Sequence, residues 1–217
     1  MANGHPEDKY GWALAGGAKF NLPGGDMIGF NVCYAEGAPG FCTNNAVFTL
    51  YNSNTSVGAG WIADGVFANG TQIELTRVWS ALAAYEHIWN PKWRTSFFGG
   101  YVNVNYNDNA TALIQQRLPG VAVGCGRAAI APALSTIQPL PGNSCSPDYD
   151  FWEAGTRTQW NPVPQLDIGL EVLYSKRNTA FKGPAIVPAS GSRPPVFVLE
   201  DQDAWSAMFR WQRNFYP

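Results

Sequence analysis

Residues 166–176 read LDIGLEVLYSK, and alternate residues of this stretch belong to two chemical classes. One parity is apolar and consists of Leu166, Ile168, Leu170, Val172 and Tyr174. The other parity is largely polar or small and consists of Asp167, Gly169, Glu171, Leu173 and Ser175. Because successive side chains of a β-strand point to opposite faces, this period of two predicts a strand with one apolar and one polar face.

The same alternation recurs along the chain, in the segments 10–21, 26–36, 76–89, 93–106, 149–160, 165–177 and 203–216. A tilted strand of about 12 residues spans about 28 Å, which is enough for the apolar band of about 25 Å in an outer membrane. Two shorter segments, 45–52 and 57–67, are also expected to be strands. Leu82, Val102 and Val104 fall on the inward parity, and the sequence gives no physical reason for apolar residues there.

Aromatic residues stand at the ends of the predicted strands, with Ala and Gly between them. A soluble sandwich packs two apolar faces together and favours Val, Ile and Leu, whereas a membrane barrel carries an aromatic girdle at each interface. Charged residues make up only 14% of the chain, against about 25% in soluble domains. A transmembrane barrel is therefore predicted, and the expected lipid-facing girdle residues are Tyr10, Trp12, Trp152, Trp160, Tyr174, Trp205 and Trp211.

Other functional classes have little support in the sequence. The net charge of −2 does not suit a nucleic-acid-binding protein, which needs a basic surface. The longest uncharged stretch, 37–63, is interrupted by Pro39 and several Asn and Gly residues, so no transmembrane helix is predicted. No common catalytic motif occurs. Glu153 and Glu171 could form an acid pair, but inward carboxylates are ordinary in a water-filled barrel. We predict no enzyme, no cofactor and no metal site.

The connections between the predicted strands alternate between short and long. The tight joints 22–25, 90–92 and 161–164 contain proline, which cannot donate to a strand ladder. The long connections are 37–44, 107–148 and 178–202. Membrane barrels place short turns in the periplasm and long loops outside. The strand directions follow this rule consistently along the chain, which favours the barrel.

The same rule locates the four cysteines near the outer surface. Cys33 lies shortly before the first long connection and Cys42 lies within it, and Cys125 and Cys145 both lie within the second. We predict the disulfides Cys33–Cys42 and Cys125–Cys145, since disulfides persist in an oxidising space. The alternative is four unpaired thiols.

The inward parity of the predicted strands carries ionisable residues. In a water-filled lumen such groups set the electric field and tune ion selectivity. An equally simple interpretation is that they are only solvated wall residues, and both interpretations require an inward position. The predicted pore-lining residues are Lys19, Glu86, Arg94, Glu153, Arg157, Asp167, Glu171 and Arg210.

Several segments resemble a known family. They read FWEAGTRTQWNP (151–162), DIGLEVLYSKRNTAF (167–181), EDQDAWSAMFRWQRNFYP (200–217) and AAYEHIWNPKWRTSFFGGYVNVNY (83–106). Together they resemble the alphaproteobacterial, rhizobial-type outer-membrane porins. This resemblance implies a trimer of sixteen-stranded antiparallel barrels, surrounded by outer-membrane lipid and lipopolysaccharide. Such proteins also have a signal peptide and an N-terminal half with a loop folded into the pore.

The chain is accordingly expected to be all-β, a single domain over 1–217 that forms the C-terminal part of such a barrel, with about nine of its strands. The expected function is an aqueous channel for passive diffusion of small hydrophilic solutes and ions. Two alternatives remain open, a non-conducting structural or adhesive outer-membrane barrel and a soluble β-barrel that binds a small ligand.

Overall fold

A computed structural model describes residues 6–43, 48–52, 56–115, 138–186 and 196–215. Within these ranges the chain is mostly strand. In chain order the strands are β1 (Trp12–Asn21), β2 (Met27–Glu36), β3 (Phe48–Asn52), β4 (Ser56–Trp61), β5 (Gly65–Val66), β6 (Glu74–Leu75), β7 (Arg77–Asn90), β8 (Trp93–Asn105), β9 (Gln138–Pro139), β10 (Tyr149–Trp160), β11 (Leu166–Asn178), β12 (Gly183–Ile186), β13 (Val196–Leu199) and β14 (Gln202–Arg213). A helix, α1, spans Asp108–Gln115, and a single 3-10 turn spans Pro39–Phe41.

The seven long strands form one antiparallel sheet in the order β1-β2-β7-β8-β10-β11-β14. These are the seven strands that the alternation predicts. The largest difference between predicted and observed strand bounds is in β14: the sequence predicts an end at 216, and the strand ends at Arg213. Within the described residues β1 and β14 each pair on one side only, so this main sheet is open.

The predicted tight turns join consecutive strands of the main sheet. Gly24 and Gly25 have φ values of +90° and +93°, a conformation that glycine adopts without steric cost. At the next turn the Asn90 side-chain oxygen accepts the backbone N–H groups of Lys92 at 2.9 Å and Trp93 at 3.1 Å. Local turn chemistry thus fixes the register of these hairpins.

The two shorter predicted segments are strands, but they do not belong to the main sheet. β2 pairs directly with β7 along its whole length, which leaves no place between them. β3 and β4 instead join a five-stranded sheet of order β3-β4-β13-β12-β9, in which β4 and β13 are parallel. A strand of five or six residues at about 3.3 Å per residue is too short to cross a 25 Å band. Among the described residues the main sheet therefore has seven strands, and the two shorter strands that complete the predicted nine belong to the second sheet.

The long connections fold together into one body, which we call the cap: the described residues of 37–76, 106–148 and 179–201. The cap has its own apolar core, formed by Val57, Ala59, Ile62, Tyr106, Ala110, Ile114, Ala180, Phe181, Ala185 and Leu199. Val78 and Val104 of the main sheet belong to the same core, and Val102 packs against it. The inward position of Val102 and Val104 therefore has a physical reason: they anchor the cap.

In the described part of the chain, every helix is too short or too polar to cross a membrane.

Candidate functional site

The register of the main sheet determines which side chains share a face. Met27 pairs with Glu86, Glu86 with Ser96, Ser96 with Arg157, and Arg157 with Glu171. Paired residues of neighbouring strands point to the same side, so these residues form one polar row. We call this side the polar face and the opposite side the apolar face.

All eight residues predicted to line a pore belong to the polar face. They are Lys19, Glu86, Arg94, Glu153, Arg157, Asp167, Glu171 and Arg210. A groove of about 770 Å³ runs over this face, and its charged lining residues are Lys19, Glu86, Glu153, Arg157 and Glu171. The arrangement provides a wettable wall on which both signs of charge are interspersed.

Hydrogen bonds hold several of these charged side chains in place. The Arg94 guanidinium lies 3.6 Å from the Asp167 carboxylate, and the Gln159 side-chain amide donates to the same carboxylate at 3.0 Å. The Ser96 hydroxyl donates to the Glu86 carboxylate at 3.0 Å. Such contacts hold the charged groups at fixed positions on the polar face.

The apolar face carries two aromatic belts. The belt at the loop end takes one aromatic residue from each strand of the main sheet: Trp12, Tyr34, Trp79, Tyr101, Trp152, Tyr174 and Trp205. Ring centroids along it lie 5.4 Å apart for Trp12–Tyr34 and 4.9 Å apart for Tyr174–Trp205. Trp and Tyr in this arrangement are typical of the interface between an apolar band and water.

A second belt lies at the turn end of the apolar face. Trp93 stacks on Trp160 with ring centroids 5.6 Å apart, and the register continues this row through Ile168 to Trp211. Trp211 is 62% exposed. Large apolar side chains therefore face outward at both ends of the strands.

The predicted girdle residues divide between the two belts. Trp12, Trp152, Tyr174 and Trp205 lie in the belt at the loop end, and Trp160 and Trp211 lie in the belt at the turn end. Tyr10 precedes β1 and is 87% exposed. Sequence reasoning missed Tyr34, Trp79 and Tyr101. The period of two could have found them, because Tyr34, Trp79 and Tyr101 all lie on the apolar parity of their strands.

The cap lies on the polar face at its loop end. A Cβ atom added to Gly60 of β4 would lie 2.9 Å from Nη1 of Arg177, which is 5% exposed, so β4 packs directly on this residue of the wall. The Gln202 side-chain amide donates to the Ser56 hydroxyl at 2.9 Å. The loops expected to be external therefore cover part of the wall.

Hydrogen bonds join the segments of the cap to one another. The Ala59 N–H donates to the Thr179 hydroxyl at 2.8 Å, and the Ala180 N–H donates to the Ala59 carbonyl at 2.9 Å. The Tyr106 hydroxyl donates to the Trp61 carbonyl at 2.7 Å. Burial raises the pKa of Tyr106 well above its ordinary value, so this donor stays protonated.

A disulfide ties the cap to the wall. Cys33 of β2 and Cys42 are joined at an S–S distance of 2.02 Å, as the sequence predicts. Cys145 is also disulfide-bonded. Its predicted partner, Cys125, lies outside the described residues.

At the turn end, Asp26 collects three hydrogen bonds. Its carboxylate accepts the Tyr85 hydroxyl at 2.6 Å and the Ile88 N–H at 2.9 Å, and the His87 Nδ1 lies 2.8 Å away. The hydrogen bond from Tyr85, followed by that with His87, lowers the pKa of Asp26 to about 2. The His87 ring packs edge-on against the Trp89 ring, with ring centroids 4.2 Å apart.

Among the described residues, no group of three or more His, Cys, Asp and Glu side chains is placed to hold a metal ion.

Comparison with known proteins agrees with this geometry. The chain matches the family model described as the porin subfamily over residues 1–208. No curated protein and no solved structure matches the chain. The family model spans nearly all of the chain, including the whole main sheet up to Met208 of its last strand. The chain therefore belongs to the porin family of outer-membrane channels.

Proposed function

We propose that this chain builds part of the wall of an aqueous channel through which small hydrophilic solutes and ions diffuse passively. The observation that carries the proposal is the division of a single sheet into a charged face and an apolar face with an aromatic belt at each end. Lipid would cover the apolar face, where Phe209 is 69% and Leu170 54% exposed. Water and solutes would then meet the polar face.

The open edges of the main sheet are a reason to propose a larger barrel, of which this sheet is one part. An unpaired backbone N–H or carbonyl in a bilayer core costs several kcal/mol, and β1 and β14 each present a row of them within the described part of the chain. We therefore propose that further strands pair with both edges. In this proposal the chain is the C-terminal part of a rhizobial-type barrel of about sixteen strands, which forms a homotrimer in outer-membrane lipid and lipopolysaccharide.

The cap would narrow the channel at its outer mouth. It is attached to the wall by the Cys33–Cys42 disulfide, by the hydrogen bond between Gln202 and Ser56, and by the core that it shares with Val78 and Val104. A fixed obstruction on the polar face reduces the cross-section open to solutes. This geometry favours a sieve for small solutes over a wide pore.

The test is a planar-bilayer recording of the complete barrel, in which further strands pair with β1 and β14, inserted into lipid. We expect stepwise currents that grow in proportion to the voltage. Replacing Glu171 by Lys should shift the reversal potential in a salt gradient toward anions, because it inverts a charge on the wall. The matched variant Glu7→Lys, whose exposed side chain precedes β1, should leave the reversal potential unchanged.

Two results would contradict the proposal. Folded, inserted protein that gives no current would favour the non-conducting barrel. Equal shifts in the Glu171→Lys and Glu7→Lys variants would mean that Glu171 does not face the permeation path.

A further inference from the structure

Two apolar side chains lie flat on the polar face, each over a glycine of the neighbouring strand. A Cβ atom added to Gly100 would lie 2.5 Å from Leu82 Cδ2, and one added to Gly155 would lie 2.8 Å from Phe98 Cζ. Gly100 pairs with Leu82, and Gly155 pairs with Phe98. The glycines therefore provide the space that lets these side chains lie along the wall instead of projecting from it.

Leu173 extends this surface on the next strand, since it pairs with Gly155. Leu82, Phe98 and Leu173 all line the groove of about 770 Å³, and we call them the apolar platform. Leu82 is 50% exposed, and none of the three belongs to the core that anchors the cap. Packing of the described residues therefore does not explain why apolar side chains occupy these positions.

Carboxylates flank the platform on its loop side and on its turn side. Glu153 pairs with Gly100, the glycine over which Leu82 lies, and therefore belongs to the same row as Leu82. Glu86 and Glu171 belong to the adjacent row on the turn side. The groove also contains the cations Lys19 and Arg157. Three carboxylates against two cations leave an excess of negative charge around an apolar surface.

We propose that the apolar platform and its flanking carboxylates form a subsite for small organic cations with a flat apolar body, such as an arylalkyl ammonium ion. The inference rests on the proposed channel function, which brings solutes to this wall. The Phe98 ring offers a face to an aromatic body or to the cation itself. The carboxylates attract the positive charge and repel an anion that has the same body.

Binding at this subsite should be weak. The solute contacts one wall only, and a channel conducts when a site is favourable enough to enter but weak enough to leave. The subsite would therefore favour passage of such cations over neutral or anionic solutes of equal size.

The test uses isothermal titration calorimetry on the complete barrel, in which further strands pair with β1 and β14, folded in zwitterionic lipid nanodiscs, with empty nanodiscs as the blank. Three probes separate the contributions: benzyltrimethylammonium, which has both features; tetramethylammonium, which lacks the ring; and benzenesulfonate, which has the opposite charge. We expect benzyltrimethylammonium to bind most tightly. Glu153→Gln should weaken its binding about fivefold, the effect of losing one nearby solvated charge.

Leu82→Gln tests the platform separately. Leu82 is half exposed, so its replacement removes little packing, and we expect about threefold weaker binding of benzyltrimethylammonium with no change for tetramethylammonium. Glu171→Gln is a second carboxylate variant, should Glu153→Gln fail to fold. Glu7→Gln is the matched control and should bind like the unaltered chain.

Each outcome separates this inference from the channel proposal. Binding of benzenesulfonate or tetramethylammonium as tight as that of benzyltrimethylammonium would overturn the subsite, as would no binding at all, even if the chain conducts. Equal losses in Glu153→Gln and Glu7→Gln would overturn it as well. Selective binding by a chain that gives no bilayer current would support the subsite and contradict the channel.

Discussion

At the scale of single residues, Asp26 shows how a turn carboxylate can lock a hairpin end. It belongs to the turn between β1 and β2, yet its partners Tyr85, His87 and Ile88 lie on β7. The residue therefore joins two neighbouring hairpins. Because these three hydrogen bonds stabilise the ionised carboxylate of Asp26, its protonation at low pH should weaken the connection between the two hairpins.

We predict that acid destabilises the protein through Asp26. Its pKa in the folded protein is about 2, below the ordinary value of 3.8, so the ionised carboxylate stabilises the folded state above about pH 4. This stabilisation disappears as the pH falls toward 2. Thermal unfolding midpoints, followed by circular dichroism in detergent between pH 5 and 2, should fall more steeply for the unaltered protein than for Asp26→Asn. Parallel curves would contradict this prediction.

A glycine pair tests the close packing on the wall. In Gly155→Ala the new Cβ would lie 2.8 Å from the Phe98 ring and 2.9 Å from the Val172 carbonyl oxygen. The backbone oxygen is held in the sheet, so we expect a loss of about 1–3 kcal/mol in the free energy of unfolding. Gly169→Ala is the control, since its nearest contact would be 3.7 Å. Urea titrations of both variants measure the difference, and equal losses would contradict the prediction.

These residue-level contacts could be predicted only in part. The parity of Glu171 or Trp205 follows from the sequence, because side-chain direction in a strand has a period of two. That Phe98 lies over Gly155 depends on the pairing and register of β8 and β10, which are joined by a long connection. The period alone contains neither piece of information.

At the scale of elements, the hairpins were predictable and the cap was not. The strand pairs β7–β8 and β10–β11 are joined by tight turns, so a local signal gives both their ends and their register. The cap depends on contacts between distant residues, such as Ala59 with Thr179 and Ser56 with Gln202. No periodic pattern indicates such contacts, and for this reason β3 and β4 were assigned to the membrane.

We predict that Thr179→Val loosens the cap. The substitution preserves the shape of the side chain but leaves the buried Ala59 N–H without its acceptor, which costs about 1–3 kcal/mol. Hydrogen exchange of β4 should become faster, while exchange in β10 and β11 stays unchanged. Thr71→Val is the matched control, because the Thr71 hydroxyl bonds within its own turn, to Ala68 and Gln72. Faster exchange of β4 in Thr71→Val as well would contradict this account of the cap.

At the scale of the whole molecule, a single sheet carries a charged face and an apolar face. The alternation along 166–176 already indicates the two faces, and the register extends them over seven strands. What the sequence could not show is that the molecule's own loops cover the polar face at one end. In the proposed channel the cap would narrow the outer mouth.

The most direct measurement is the accessibility of spin labels placed singly on adjacent strands of the folded, lipid-inserted chain. Labels at Leu170 and Phe209 should collide with oxygen dissolved in the lipid. Labels at Glu171 and Arg210 should collide with a water-soluble nickel chelate, so that accessibility alternates with a period of two. If the labels at Leu170 and Phe209 were instead shielded from both reagents, inside a compact water-soluble core, the two-faced wall would be contradicted.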